Sequence, residues 1–214
     1  RADSTYCGLN SSVEYGSIFL CNASDPGLLV FPTHRVLHHL PSFELSALLQ
    51  KLQPYFDLDE QPVRDAAFAQ ALLRQKGQHG PSFLLCSGGR QIFMTLRNAL
   101  PADIVGPDVL RLLDVTVLHA LVFEKLLGID RAAQEAQTYL RYLKDTAQAL
   151  HAAAETDCQA VFLLNSTPVE QVMAVAEAGE VMPQKSTYFF PKIASGLVLN
   201  PLIPAEPVDF AVQP

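Results

Sequence analysis

The amino-acid sequence predicts an α+β fold: a mixed sheet with two antiparallel hairpins and a C-terminal βαβα unit. Strand-like runs joined by short turns fall early in the chain, and strand–helix alternation falls late. Apolar residues make up 49% of the 214, against 17% charged. With a mean hydropathy of +0.17, that is enough apolar material for one large domain or two small ones, and wholesale disorder is excluded. Apolar runs stop well short of the ~18 residues a membrane helix requires, so no membrane partner is expected. A net charge of −7 argues against nucleic acid as the main partner, because counterion release rewards a basic surface.

The elements follow in order. Residues 17–22 form a β-type run, Asp25-Pro26-Gly27 supplies a turn, and residues 28–31 begin a second strand that continues towards Arg35, giving the first hairpin. Apolar residues at 45, 48, 49 and 52 lie on one helical face, and Pro54 stops that helix. A second helix spans 63–76 with Ala67, Ala71 and Leu72 inside and Gly77 just past its end. Residues 83–87 and 90–94, joined by Gly88-Gly89, form the second hairpin on a two-residue primed turn. A short helix follows Pro107. Asp114 then caps a longer one over 115–127, closed by Gly128 and apolar nearly all round, hence buried.

Residues 131–155 admit two readings. Apolar steps of three and four from 136 to 154 favour one long helix, whereas residues 139–143 read as a strand and Asp145-Thr146-Ala147-Gln148 as a capping box. Residues 160–164 are a buried-type strand. The next helix has Thr167 as N-cap, Pro168 at its first position and Glu170 as the reciprocal cap, and it ends at Gly179. A long connection over 180–195 leads to a last strand, 196–200. The domain organisation expected is a residual N-terminal segment (1–16), a single domain (17–200) and a Pro-rich tail (201–214). Cys7, Cys21, Cys86 and Cys158 are scattered without Cys-x-x-Cys spacing, which predicts free thiols and a cytoplasmic setting. The chain begins at Arg1 with no apolar leader and reads as a fragment of a longer protein.

The candidate chemistry centres on the long connection. Residues 179–187 stand one residue from a phosphate-binding Walker loop, with Gln184 where its second glycine belongs. A helix precedes this segment and aromatics follow it, so the strand–loop–helix context is absent. The reading retained is an anion site in which Lys185, Ser186, Thr187 and Lys192 offer two cations and two hydroxyls. His34 and Arg35 are a second cluster. In an extended strand they face opposite sides, and for His34 a hydrogen-bonded structural role is the stronger reading. Asp114 and His119 form a third, with Thr116 between them. Asn165 is a fourth candidate, where a strand feeds a helix N-terminus. No metal-ligand spacing and no catalytic triad can be read, and no metal site is expected.

Residues 160–172 and the block Met182-Pro183-Gln184-Lys185-Ser186-Thr187-Tyr188-Phe189-Phe190-Pro191-Lys192 closely resemble the C-terminal portion of a prokaryotic family, the domain of unknown function numbered ten-fifteen. Asp25-Pro26-Gly27, Pro32-Thr33-His34-Arg35, Gly88-Gly89 and residues 114–119 fit as well, so the resemblance covers nearly the whole chain. The N-terminal portion of that family is similar to the ParB/sulfiredoxin-like superfamily, which includes nucleotide-binding partition proteins and a kinase acting on free serine. The family's Asp-Gly-His-His-Arg block is not found here, since His38-His39 precedes Leu40 and Pro41. The resemblance implies a strand and then an Asp-initiated helix over 139–154, which decides the ambiguous segment.

The leading functional expectation is a phosphate- or nucleotide-binding lobe of a small-metabolite kinase-like enzyme, with a nucleotide and its magnesium ion as the implied cofactor. The partners expected are a small anionic metabolite or nucleotide and the protein's own missing N-terminal domain, and an oligomer is compatible with these. The alternative is a non-catalytic regulatory or interaction module in which Tyr188, Phe189 and Phe190 pack on the N-terminal half.

Overall fold

A computed structural model describes residues 13, 15–97, 100–101, 104, 106–111, 113–196 and 198–199. Two compact units divide the chain: Leu29–Phe190, and Arg1–Leu28 together with Pro191–Pro214. In the second of these, the turn at Asp25-Pro26-Gly27 forms as expected, with Gly27 N donating to Asp25 Oδ1 at 2.7 Å and Leu28 N to Asp25 O at 2.9 Å. Residues 17–22 adopt no strand, so the first hairpin is not made. The strand expected over 196–200 is absent at 196, 198 and 199, and residues 197 and 200 and the Pro-rich tail lie outside the described residues.

The larger unit contains a six-stranded sheet in the order β3-β5-β4-β7-β2-β6 and a two-stranded ribbon, β1-β8. Its strands are β1 (Leu29–Phe31), β2 (His34–His38), β3 (Phe56–Glu60), β4 (Ser82–Ser87), β5 (Arg90–Leu96), β6 (Leu140–Leu143), β7 (Cys158–Leu164) and β8 (Tyr188–Phe190). The helices are α1 (Leu45–Leu52), α2 (Ala66–Gly77), α3 (Asp108–Arg111), α4 (Asp114–Thr116), α5 (Arg131–Glu135), α6 (Thr146–Ala152) and α7 (Val169–Glu177), and α4 continues directly as a π-helix, Val117–Leu126. The class is α+β, as the sequence predicts. The sheet is antiparallel throughout rather than mixed. β6 and β7 flank β2 and each run antiparallel to it, so the β6-α6-β7-α7 segment is a split crossover whose parallel strands never touch.

Alternation along the strands fills two cores. Leu37, Phe83, Leu85 and Phe162 point to one face of the sheet, where α1 and the π-helix cover them. Val36, Leu84, Cys86, Val161 and Leu163 point to the other, against α2 and α6. The central strand β4 is buried along its whole length, hence its unbroken apolar run. The Gly88-Gly89 hairpin is confirmed, with φ of 56° and 76° and Ser87 opposite Arg90. Helix α2 begins at Ala66 on its Asp65 cap and buries Ala69 and Leu73; Ala67 and Ala71 face solvent, a rotation from the expected face.

The long-helix reading of 131–155 fails: α5, β6 and α6 occupy it, with Asp130 and Asp145 accepting N-cap hydrogen bonds at 2.8 Å from Ala133 N and Gln148 N. Thr167 does not cap α7. Its hydroxyl donates to Ser186 O at 3.2 Å, Pro168 takes the N-cap position, and the helix starts at Val169. Asp114 makes no side-chain cap either. β3 went unread in the sequence, although its Asp57, Asp59 and Glu60 pair with Arg97, Lys76 and Arg90 and so protect an edge strand from further pairing.

Candidate functional site

Strand β2 sets Arg35 on the same face as Leu37, beneath the π-helix, and His34 on the opposite face with Val36. Arg35 is completely buried. Its Nε donates to His119 Nε2 at 3.2 Å, one Nη to Thr33 O and the other Nη to Lys185 O at 3.1 Å, and the guanidinium lies over the Tyr142 ring, 5.3 Å from its centroid. Among the described residues no carboxylate pairs with it. Burial pulls its pKa down to about 10. An interior cation without an acid is costly, because desolvation is then uncompensated by an opposite charge.

The residues that hold Arg35 also wall a cavity of about 480 Å³. His119, Tyr142 and Lys185 line it, together with Thr116, Arg111, Arg131 and Gln134, and Ile104, Leu110, Ala120 and Val181 make up an apolar part of its wall. The π-helix explains how an almost wholly apolar stretch contributes polar groups here. Its wider winding sends Val117, Leu118, Leu121, Val122, Phe123 and Leu126 into the core and leaves His119, Ala120 and Glu124 to the cavity, beside Thr116 at the end of α4.

His119 is fixed as a neutral ring. Burial and the Arg35 charge push its pKa down to about 3, and a hydrogen bond with the Gln134 side chain opposes them. Gln134 is itself buried and donates its Nε2 to Ile129 O at 2.7 Å. With Nε2 accepting from Arg35, the ring proton resides on Nδ1. Thr116 differs: its Oγ1 is buried and has no hydrogen-bond partner among the described residues.

Lys185 holds a left-handed backbone (φ 59°), a strained conformation for a side chain other than Gly, Asn or Asp. Two buried side chains fix consecutive carbonyls of this loop, Arg35 that of Lys185 and Thr167 that of Ser186. The Ser186 hydroxyl turns back to Pro183 O. Ser186 and Thr187 line a smaller hollow of about 370 Å³ beneath α7, beside Val172 and Val175.

Of the residues proposed from the sequence, the fold thus brings Lys185, Arg35 and His119 together. Ser186 and Thr187 face the hollow under α7. His34 lies across the sheet with both nitrogens used: Nδ1 accepts from Leu164 N at 3.2 Å and Nε2 contacts Thr146 Oγ1 at 3.0 Å, and burial lowers its pKa to about 4. Lys192 belongs to the other compact unit. Asn165 donates to Leu73 O at 3.1 Å, and hydrogen bonding from the Asn165 side chain and the Ser82 backbone pulls the pKa of Asp114 down. Burial nevertheless pushes Asp114 up to about 7. Arg111, Arg131, Gln134 and Tyr142 carried no sequence signal. Each is an ordinary residue on a short element, and only the packing of α3, α5 and β6 around the π-helix gathers them. Among the described residues no three His, Cys, Asp or Glu side chains gather as metal ligands would, and no helix is long and apolar enough to cross a membrane.

Fold and cavity together define an α+β protein with a buried arginine, unpaired with any acid among the described residues, behind a polar pocket. The chain belongs to the family described as protein of unknown function (DUF1015), which matches it over residues 2–116. The turn at 25–27, the Thr33-His34-Arg35 strand start and the Gly88-Gly89 hairpin lie inside that span; the Lys185 block lies beyond it. No curated protein matches the chain. Among solved structures, a conserved hypothetical protein from Pyrococcus furiosus is similar at 16% identity with a TM-score of 0.46, over 79% of this chain and 59% of that one. Free serine kinase in complex with AMP is similar at 17% identity with a TM-score of 0.43, over 79% of this chain and 56% of that one. The chain therefore spans less than two thirds of either structure.

Proposed function

We propose that the cavity beside Arg35 is a binding site for a small phosphate-bearing anion, within a lobe that serves a small-metabolite kinase-like enzyme. The single observation that carries this reading is the completely buried Arg35 with no acid partner among the described residues. Its charge projects through His119, Tyr142 and the Lys185 loop into a space of about 480 Å³, within the ~300–1,000 Å³ usual for metabolite sites. In a low-dielectric wall such a charge attracts an anion far more strongly than a solvated lysine does. Positioning and charge neutralisation are most of what phosphoryl transfer asks of a protein. If the anion is a nucleotide, it brings its magnesium ion, and Glu124 and Glu135 are the wall carboxylates able to ligate it.

The test is calorimetric titration of the whole protein with inorganic phosphate and with ATP. Lys185→Ala is expected to weaken binding severalfold; unchanged binding counts directly against the site. A second reading, an interaction module, draws on Leu29, Phe31 and Phe190, which share one face of the β1-β8 ribbon and are exposed. It gains if neither anion binds.

A further inference from the structure

Resting on that reading, we infer that the cavity selects a dianionic phosphate monoester with a small apolar body, over monoanions and over di- and triphosphates.

Charge balance is the first ground. Arg111, Arg131 and Lys185 face Glu124 and Glu135 around the wall, and Arg35 stands directly behind it, so among the described residues four cations oppose two carboxylates. Asp108, the acid nearest Arg111, is 3.8 Å away with its side chain 99% exposed, where water screens it. Arg131 and Glu124 are likewise 3.8 Å apart and largely solvated. His119 stays uncharged, its Nε2 accepting from Arg35 and its pKa held low by burial and the Arg35 charge. The remaining surplus of two positive charges, in a chain of net charge −7, matches a ligand of charge −2.

Thr116 is an independent second ground. Thr116 lines the cavity, while its hydroxyl is turned away into the protein and lacks a partner among the described residues, and a buried donor left unsatisfied costs about 1–3 kcal/mol. Rotation about the Thr116 χ1 bond would present it to a ligand oxygen in the cavity and remove that cost. The apolar wall is the third: Ile104, Leu110, Ala120 and Val181 offer nothing to a second or third phosphoryl group but suit a hydrocarbon or aryl body.

Phenyl phosphate and phenyl sulfate separate these features, having nearly the same shape but charges of −2 and −1 at pH 7.5. Calorimetry on the whole protein should show phenyl phosphate binding at least tenfold tighter than phenyl sulfate and tighter than ADP. Its affinity should fall several-fold at pH 5.5, as the phosphate's second ionisation (pKa about 6) reverses, while that of phenyl sulfate stays level. Thr116→Val, which replaces the hydroxyl by a methyl, should weaken phenyl phosphate about tenfold, and Thr116→Ser should restore it. Equal affinity for the two esters, or a Thr116→Val protein that is folded and binds normally, overturns the monoester assignment even if Lys185→Ala still weakens inorganic phosphate. Failure of every anion, inorganic phosphate included, overturns the anion site itself.

Discussion

Replacing Asp114 by asparagine should make the protein markedly more acid-sensitive, because three buried groups titrate against one another. Burial holds His119 and His34 at about 3 and about 4 against an ordinary 6.5. Histidines depressed in this way stabilise the fold fully above pH 6.5, and their contribution is lost as pH falls towards the folded values, since the unfolded chain takes up protons first. At pH 5 each costs the fold about 2 kcal/mol relative to pH 7.5. Asp114 works in the opposite direction. Its folded value of about 7 stands above 3.8, so its contribution is complete below 3.8 and is lost as pH rises through 7. Between pH 7.5 and 5 it gives back about 2.5 kcal/mol. The wild-type protein should therefore lose about 1.5 kcal/mol over that interval, and Asp114→Asn, with no proton to bind, about 4 kcal/mol. Urea unfolding followed by far-UV circular dichroism at pH 7.5, 6 and 5 reads both slopes. Equal losses in the two proteins would refute the buried-carboxyl argument.

Two further substitutions test the scaffold around the site. Asp145→Ala removes the 2.8 Å cap on Gln148 N and should cost about 1 kcal/mol, read as a lowered melting temperature; an unchanged midpoint would mean that the cap is replaced by water. In Gly77→Ala the new Cβ would stand 2.7 Å from Asn165 Nδ2, displacing the amide that holds Asp114. Helix propensity alone favours alanine by about 1 kcal/mol, so a net destabilisation of about 1 kcal/mol or more in chemical denaturation is expected, and a stabilised variant would show that Asn165 moves aside freely.

Local chemistry made much of the fold legible. Gly88-Gly89 between two apolar runs admits little but a primed hairpin, and Asp130 and Asp145 stand where helices start. The alternation His34-Arg35-Val36-Leu37 assigns Arg35 and His34 to opposite faces whatever the sheet's order. Where local signals competed, pattern misled: the heptad-like spacing over 131–155 is broken because β6 gains a full ladder against β2, which outweighs propensity. Thr167 resembled a cap, yet its hydroxyl serves the Ser186 carbonyl, a partner far away in sequence and invisible to a local reading.

The sequence by itself determined the class of the fold, the second hairpin and the apolar helix after Asp114, and it singled out Lys185, Arg35 and His119 as separate candidates. Those properties follow from side-chain type and from spacing over a few residues. Only the tertiary structure decided that Arg35 is buried with no acid beside it among the described residues, that His119 is held neutral against it, and that Arg111, Arg131, Thr116 and Tyr142 close a cavity around them. Each of these is a statement about which surfaces exclude water together. The desolvation of Arg35 exists only once the β2 strand, the π-helix and the Lys185 loop have met.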